Sequence, residues 1–210
     1  MNGRALNLFL LVTTILLGGC ASMSAEECAS GNWTAIGYED GSRGYTSEQF
    51  GKHRKACAKH DITADFAAYQ EGRKQGLVEF CQPSRGFNLG ANGGHYQGVC
   101  AVDLEADFLD AYRAGQQLYS LRSSVNTANS LIYSKEREIE DIKATMRSKE
   151  ALLISDETSK EERVLLLADL VRLSERIGEL ETEIEMLIAD RARFEQELQR
   201  YQETVAAYGY

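Results

Sequence analysis

Proline is almost missing from this 210-residue chain, which holds one, Pro83, and none beyond it. Its absence from the C-terminal half leaves long helices unbroken there. Histidine is nearly as scarce: His53, His60 and His95 are scattered, with no His-Glu-x-x-His and no carboxylate at ligand spacing, which removes the zinc-protease signature. His53 and His60 fall about two turns apart on or just past one helix and read as a solvated pair rather than a surface metal site. No block of basic residues occurs and the net charge is −9, so the electrostatic footprint of a nucleic-acid binder is lacking. There is no Gly-x-Ser-x-Gly elbow, and Gly90-Ala-Asn-Gly-Gly94 lacks the Lys-Ser/Thr of a phosphate loop. These absences leave no catalytic constellation, no metal site and no cofactor, and the expectation is a protein that is not an enzyme.

Long apolar runs are also lacking, with one informative exception. Arg4 and the amino terminus precede an apolar stretch from Ala5 to Leu17, which closes on Leu17-Gly18-Gly19-Cys20. The stretch is shorter than the roughly 20 apolar residues that span a bilayer. Small residues directly before a cysteine have the form of a bacterial lipoprotein cleavage site, so residues 1–19 read as a signal peptide. Cys20 reads as the lipidated first residue of the mature chain. An ordinary secretory signal, with Cys20 a plain thiol, is the competing reading. An acidic protein gains nothing from an anionic membrane surface, so acyl chains such as palmitate have to hold it. Each buried methylene contributes about 0.8 kcal/mol, and two or three chains make release negligible. Ala21, rather than Asp, follows Cys20. By resemblance to known lipoprotein sorting, this implies the outer membrane, facing the periplasm.

With Cys20 assigned to lipid, four cysteines are left: Cys28, Cys57, Cys81 and Cys100. An even set in an exported chain reads as two disulfides with three alternative pairings. Cys28–Cys57 and Cys81–Cys100 are favoured because each closes a loop within one local substructure. Each bridge is worth roughly 3 kcal/mol in the chain-entropy view. Zinc fares worse, since there is no Cys-x-x-Cys pair.

Two regions differ in character. From Cys28 to about Gly115 the chain is rich in glycine and aromatics, with Trp33 its only tryptophan. Thr46-x-x-Gln49 has the capping-box pattern and predicts a helix to about Ala58. Thr63 predicts an N-cap for a helix over Ala64–Phe80, which Pro83 then forbids from continuing. Gly86–Leu89 and His95–Val99 flank the glycine-rich turn and read as a β-hairpin, after which Asp103 caps the next helix. Tyr-x-x-Gly recurs at Tyr38/Gly41, Tyr69/Gly72 and Tyr112/Gly115. On a helix each such glycine leaves room beside a ring for another backbone, and close packing is favoured over a glycine-lined ligand groove.

From Leu118 onward the chain is rich in leucine and charge. One heptad series runs from Leu118 through Ile132, Lys135, Ile142 and Lys149 to Leu153. Another runs from Leu166 through Leu180, Leu187 and Arg191 to Val205. Sustained heptads with charged flanks indicate coiled coil. The segment 118–207 holds 13 Lys and Arg against 19 Asp and Glu, which reads as a solvated face rather than a glycosidase dyad. Ser155–Thr158 breaks the pattern and Thr158-x-x-Glu161 caps a new start. Two helices of about 75 Å each, at 1.5 Å per residue, predict an antiparallel hairpin returning Tyr208–Tyr210 to the domain where it began. A parallel dimer is the competing arrangement.

Several motifs act together. Trp33-x-x-x-Gly37-Tyr38-x-Asp40-Gly41-x-x-Gly44 precedes Cys57, and Tyr69-x-x-Gly72-x-x-x-Gly76-Leu77-x-x-Phe80-Cys81 follows. Gly86-Phe87-x-Leu89-Gly90, Gly93-Gly94-x-Tyr96-x-Gly98-Val99-Cys100 and Phe108-x-x-Ala111-Tyr112-x-x-Gly115 complete the set. From roughly Cys28 to Tyr119 the chain resembles the DUF 2799 family, small lipoproteins of Gram-negative envelopes with no established activity. The resemblance implies an envelope protein, brings no catalytic residues, and leaves the coiled coil outside it.

The expected fold is mostly α: a small disulfide-stapled α+β domain, with short helices plus a β-hairpin, then a long antiparallel coiled-coil hairpin. The expected segments are 1–19 signal peptide, 20–27 lipid-anchored linker, 28–117 Gly/aromatic-rich disulfide domain, and 118–210 coiled-coil hairpin turning near 154–158. The expected role is structural or adaptor, in the cell envelope. The expected partners are the membrane, through acyl chains on Cys20, and another envelope protein met by the coiled coil, with homo-oligomers an alternative. The competing class is a peptidoglycan-binding or -modifying protein, with Trp33 and Tyr96 stacking on sugar rings.

Overall fold

The computed structural model describes residues 23–209. Its regular elements run α1 (Ala25–Ser30), α2 (Trp33–Ser42), α3 (Glu48–Ala58), α4 (Phe66–Phe80), α5 (Pro83–Ala91), α6 (Val102–Leu153) and α7 (Lys160–Ala207). Among the described residues there is no strand. The β component expected around Gly86–Val99 is therefore corrected to a helix followed by irregular chain. Pro83 starts α5 rather than merely ending α4, since a first helical position needs no N–H. The glycine-rich turn ends that helix: Gly94 N–H donates to the Leu89 carbonyl and Gly93 N–H to that of Gly90. Gly93 has φ +70°, so this is a Schellman close rather than a hairpin turn.

Caps account for the other boundaries. Ser24 with Glu27 and Ser159 with Glu162 form full capping boxes at α1 and α7. Asn32 and Asp65 accept from the N–H groups of Ala35 and Ala68 at α2 and α4. Asp65, not Thr63, thus opens α4, and Ser159, not Thr158, opens α7. Ser47 precedes α3 without a side-chain cap bond, so the Thr46/Gln49 capping box does not form. Asp103 lies in the first turn of α6, one residue inside its start. The two earliest helices, α1 and α2, carry no periodicity that predicts them.

The chain divides into two compact units. Among the described residues, one holds 23–82 together with Tyr96–Glu105, and the other holds Pro83–His95 and 106–209.

In the first unit α2 and α4 pack backbone to backbone. A Cβ added at Gly37 would stand 2.0 Å from the Tyr69 carbonyl oxygen, and one at Gly41 would stand 2.3 Å from that of Arg73. Reciprocally, Cβ atoms at Gly72 and Gly76 would stand 1.8 Å and 2.1 Å from the Thr34 and Tyr38 carbonyl oxygens. Each helix contributes two glycines four apart, hence on one face. Beside this contact Cys28, Trp33, Phe50, Cys57, Ala64 and Tyr69 form the core. The Phe50 ring lies 4.9 Å from Phe66 and from Tyr69, and meets Trp33 edge-on at 6.1 Å.

The second unit repeats the device. Cβ atoms at Gly86 and Gly90 of α5 would strike the Phe108 and Tyr112 carbonyl oxygens of α6, at 2.4 and 2.2 Å. One at Gly115 would strike that of Phe87 at 2.1 Å. Phe87, Ala111 and Leu118 are buried with Val205, so the end of α7 packs against α5 and the base of α6.

Above that base α6 and α7 run antiparallel for most of their 52 and 48 residues, about 78 and 72 Å of helix at 1.5 Å per residue. The basic residues within the heptad series are answered across the seam. Lys135 meets Glu183, Lys149 donates to Asp169 at 2.7 Å, and Arg191 donates to the Asn129 amide oxygen at 3.0 Å. Each pair joins residues about equally far from the turn. Such polar positions fix register and orientation. In a parallel dimer each of the three would face its own copy, a like-charge contact in a half-buried seam. The turn is closed by Arg163, whose guanidinium donates to the Leu153, Ser155 and Thr158 carbonyls. Leu153 is the last residue of α6, whose carbonyl has no helical partner, and Ser155 and Thr158 belong to the turn itself.

Two glycine substitutions separate close packing from helix propensity. Gly72→Ala is expected to cost about 3 kcal/mol, because its methyl has only backbone to displace. Gly178→Ala, which meets nothing within 4 Å, is expected to gain about 0.8 kcal/mol. Urea unfolding of both variants checks this; similar effects of one sign would contradict the packing.

Candidate functional site

In the first unit the polar chemistry gathers on one buried carboxylate. Asp40 lies on the face of α2 that carries Trp33 and Gly37, and is 5 % exposed. Its Oδ2 accepts the Tyr69 hydroxyl at 2.8 Å and is met by His53 Nε2, also at 2.8 Å. Helices α2, α3 and α4 thus each supply one member. Tyr69 is fully buried. Burial, then the hydrogen bond to Asp40 and the negative charge beside it, push its phenol far above the ordinary value. Tyr69 is therefore a fixed donor. In the neutral form of His53 the proton must sit on Nε2 to face the carboxylate, leaving Nδ1 as the basic nitrogen.

An aspartate holding an imidazole by one nitrogen is the orienting half of an acid–base dyad. Here the same oxygen also holds a buried phenol, so the group ties three helices together as well as orienting the ring. Arg73 extends the network, donating from Nε and Nη2 to the Tyr45 carbonyl just past α2, at 3.0 and 2.8 Å. None of Asp40, His53 and Tyr69 stands out in the sequence as a group. The readable signal is a charged residue seven positions after Trp33 on a face otherwise of tryptophan and glycine.

The four cysteines expected to oxidise are paired as Cys28–Cys57 and Cys81–Cys100, with Cα atoms 5.5 and 5.6 Å apart. Both bridges lie within the first unit. Two disulfides in a small domain indicate folding in an oxidising compartment outside the cytoplasm. Cys20, expected to carry lipid, lies outside the described residues, as does the signal peptide. No described helix is long and apolar enough to cross a membrane.

The aromatics considered for sugar stacking are already engaged. Trp33 is buried against Phe50. Tyr96 donates to Glu105 at 2.9 Å and accepts the Cys100 N–H at 2.9 Å. His60 and His95 are exposed, and no cluster of three or more metal-ligating side chains is present among the described residues.

Residues 32–117 match the family described as Protein of unknown function (DUF2799). That span runs from the N-cap of α2 to the first turns of α6, so a DUF2799 domain precedes most of the hairpin. Neither the curated proteins nor the solved structures include a match to this chain.

Tyr69→Phe removes one of the two groups holding the buried Asp40 carboxylate. The expected loss of unfolding free energy is about 2 kcal/mol, the scale of a hydrogen bond to a charged group. A urea midpoint unchanged from wild type would mean the phenol is not the carboxylate's partner.

Proposed function

We propose, from a chain whose residues 32–117 form a DUF2799 domain, a cell-envelope lipoprotein that acts as a structural or adaptor protein without an enzymatic reaction of its own. Cys20 carries acyl chains that hold it in the outer membrane, facing the periplasm. The α6–α7 hairpin is the element that meets another envelope protein.

The observation that carries this reading is the hairpin itself. About 75 Å of paired helix, with Lys135 and Lys149 paired across its seam, supplies reach and stiffness. A catalytic site needs neither. The two disulfides agree with a periplasmic address, and the Leu17–Cys20 sequence with a lipid anchor. The competing reading, a cell-wall binder with the hairpin as spacer, draws less support, because Trp33 and Tyr96 are both turned to internal partners.

Cells fed labelled palmitate are expected to yield labelled protein in the outer-membrane fraction, and Cys20→Ser is expected to abolish label and membrane retention together. A photo-reactive residue at Ile154 is expected to give covalent adducts with a second envelope protein. Unlabelled wild-type protein would remove the anchor, and a probe that captures nothing in any growth condition would remove the adaptor role.

A further inference from the structure

Helix α7 opens with an apolar run that the seam does not consume. Leu166, Leu170 and Leu173 face α6, as the heptads require. Val164, Leu165, Leu167 and Val171 instead point to solvent, with Leu165 68 % and Val164 66 % exposed. Further along α7, positions off the seam are mostly Glu, Arg and Gln. A helix apolar on all sides is ordinarily a covered helix, and runs of exposed apolar residues mark binding surfaces. Across the turn Ile154 is 81 % exposed and Leu152 more than half. Leu152, Leu165 and Leu166 line one cleft at the turn, together with Glu157, Glu162 and Asp169.

The charges around this patch select what can cover it. Glu150, Asp156, Glu157 and Glu161 are all exposed. Backbone and side-chain hydrogen bonds from Ser159 hold the Glu162 carboxyl below its ordinary value, and Lys149 does the same for Asp169. Both therefore stay ionised. Of the cations, Lys149 and Arg172 are paired with Asp169, and Arg163 is spent on three carbonyls. Arg147 and Lys160 are exposed and are outnumbered by the exposed acids Glu150, Asp156, Glu157, Glu161 and Glu162. A second copy of the tip would bring the same acids against these, and an anionic bilayer would repel them.

We infer that the hairpin tip is a docking surface for a basic amphipathic segment of another protein, one whose apolar face covers Ile154, Leu152 and Leu165 and whose flanks carry lysine or arginine. The inference rests on the adaptor reading above and adds the chemistry of the partner. Apolar burial supplies the holding energy, and the acidic rim supplies orientation, selectivity and attraction at a distance.

The test uses the full lipidated chain in neutral phosphatidylcholine nanodiscs. Two labelled helical peptides share one leucine face; one has lysine flanks and the other glutamate flanks. The lysine peptide is expected to bind at least about tenfold more tightly, a preference that shrinks with added salt. Ile154→Asp with Leu165→Asp, both at exposed positions and checked for unchanged helicity, is expected to abolish binding. Glu157→Lys with Glu161→Lys is expected to reverse the preference between the peptides. Equal binding of the two peptides overturns the inference, as does binding that survives the Asp substitutions. So does tip-dependent attachment to anionic phosphatidylglycerol vesicles, or tip-dependent self-association in place of peptide binding. Failure here with Ile154 cross-links intact in cells would reject the partner's chemistry alone. Failure of both would reject the adaptor role.

Discussion

The arrangement of this protein depends on one constraint above others: the basic residues placed in an apolar helical seam have to find partners within the same chain. Lys135, Lys149 and Arg191 occupy heptad positions where leucine or isoleucine would pack better. Lys135 and Lys149 are answered across the seam by Glu183 and Asp169, and Arg191 donates one Nη1 bond to Asn129, when α7 returns along α6 in this register. Polar seam positions of this kind give up stability for specificity of partner and direction. That register sets where the turn falls, and so which residues the tip exposes. It also brings Val205 back to Phe87 and Leu118 at the base. Arg163 completes the arrangement by satisfying the Leu153 carbonyl at the end of α6 and two carbonyls of the turn, those of Ser155 and Thr158.

A second device recurs within each of the two units. Glycines spaced four apart let α2 and α4 meet backbone to backbone, and the same spacing lets α5 meet α6. Contacts this close leave no room for side chains between the helices. Cohesion then comes from neighbouring aromatics such as Trp33, Phe50 and Tyr69, from the Asp40 hydrogen bonds, and from two disulfides. A small core supplemented by covalent bridges is the expected solution for a domain with limited apolar area.

The long helices were the most legible part of the sequence, because a heptad repeat sustained over many turns has no competing local meaning. The matched lengths of the two series also make a hairpin readable in the sequence. The glycine-rich region was harder to read. Gly86 and Gly90 lie on one helix face, but beside Phe87, Leu89 and a run ending in Gly93-Gly94 they also resemble two strands around a turn. Local pattern could not separate the two. The deciding fact is tertiary: the backbone of Phe108 and Tyr112 lies where a Cβ would be, and only a glycine-bearing helix fits there. The Tyr-x-x-Gly repeat carried that information in part, since it pointed to close backbone approach. Asp40 is illegible in the sequence for a related reason. A carboxylate looks solvated until a phenol 29 residues away and an imidazole 13 away are placed against it. The exposed side of Val164–Val171 was hidden beneath the seam residues of the same run.

The adaptor reading requires that the two long helices belong to one molecule and run in opposite directions. The most direct measurement is an electron-spin distance between probes at Tyr133 and Glu185, both exposed and about equally far from the turn. The probes would be carried on bio-orthogonal residues so that both disulfides stay intact. An intramolecular hairpin predicts a separation of roughly 20 Å, set by side-by-side helices and probe length, and unchanged on dilution with unlabelled protein. A continuous rod in a parallel pair predicts about 78 Å between the two sites of one chain, 52 residues at 1.5 Å each. Any short distance that disappears on dilution would contradict the hairpin.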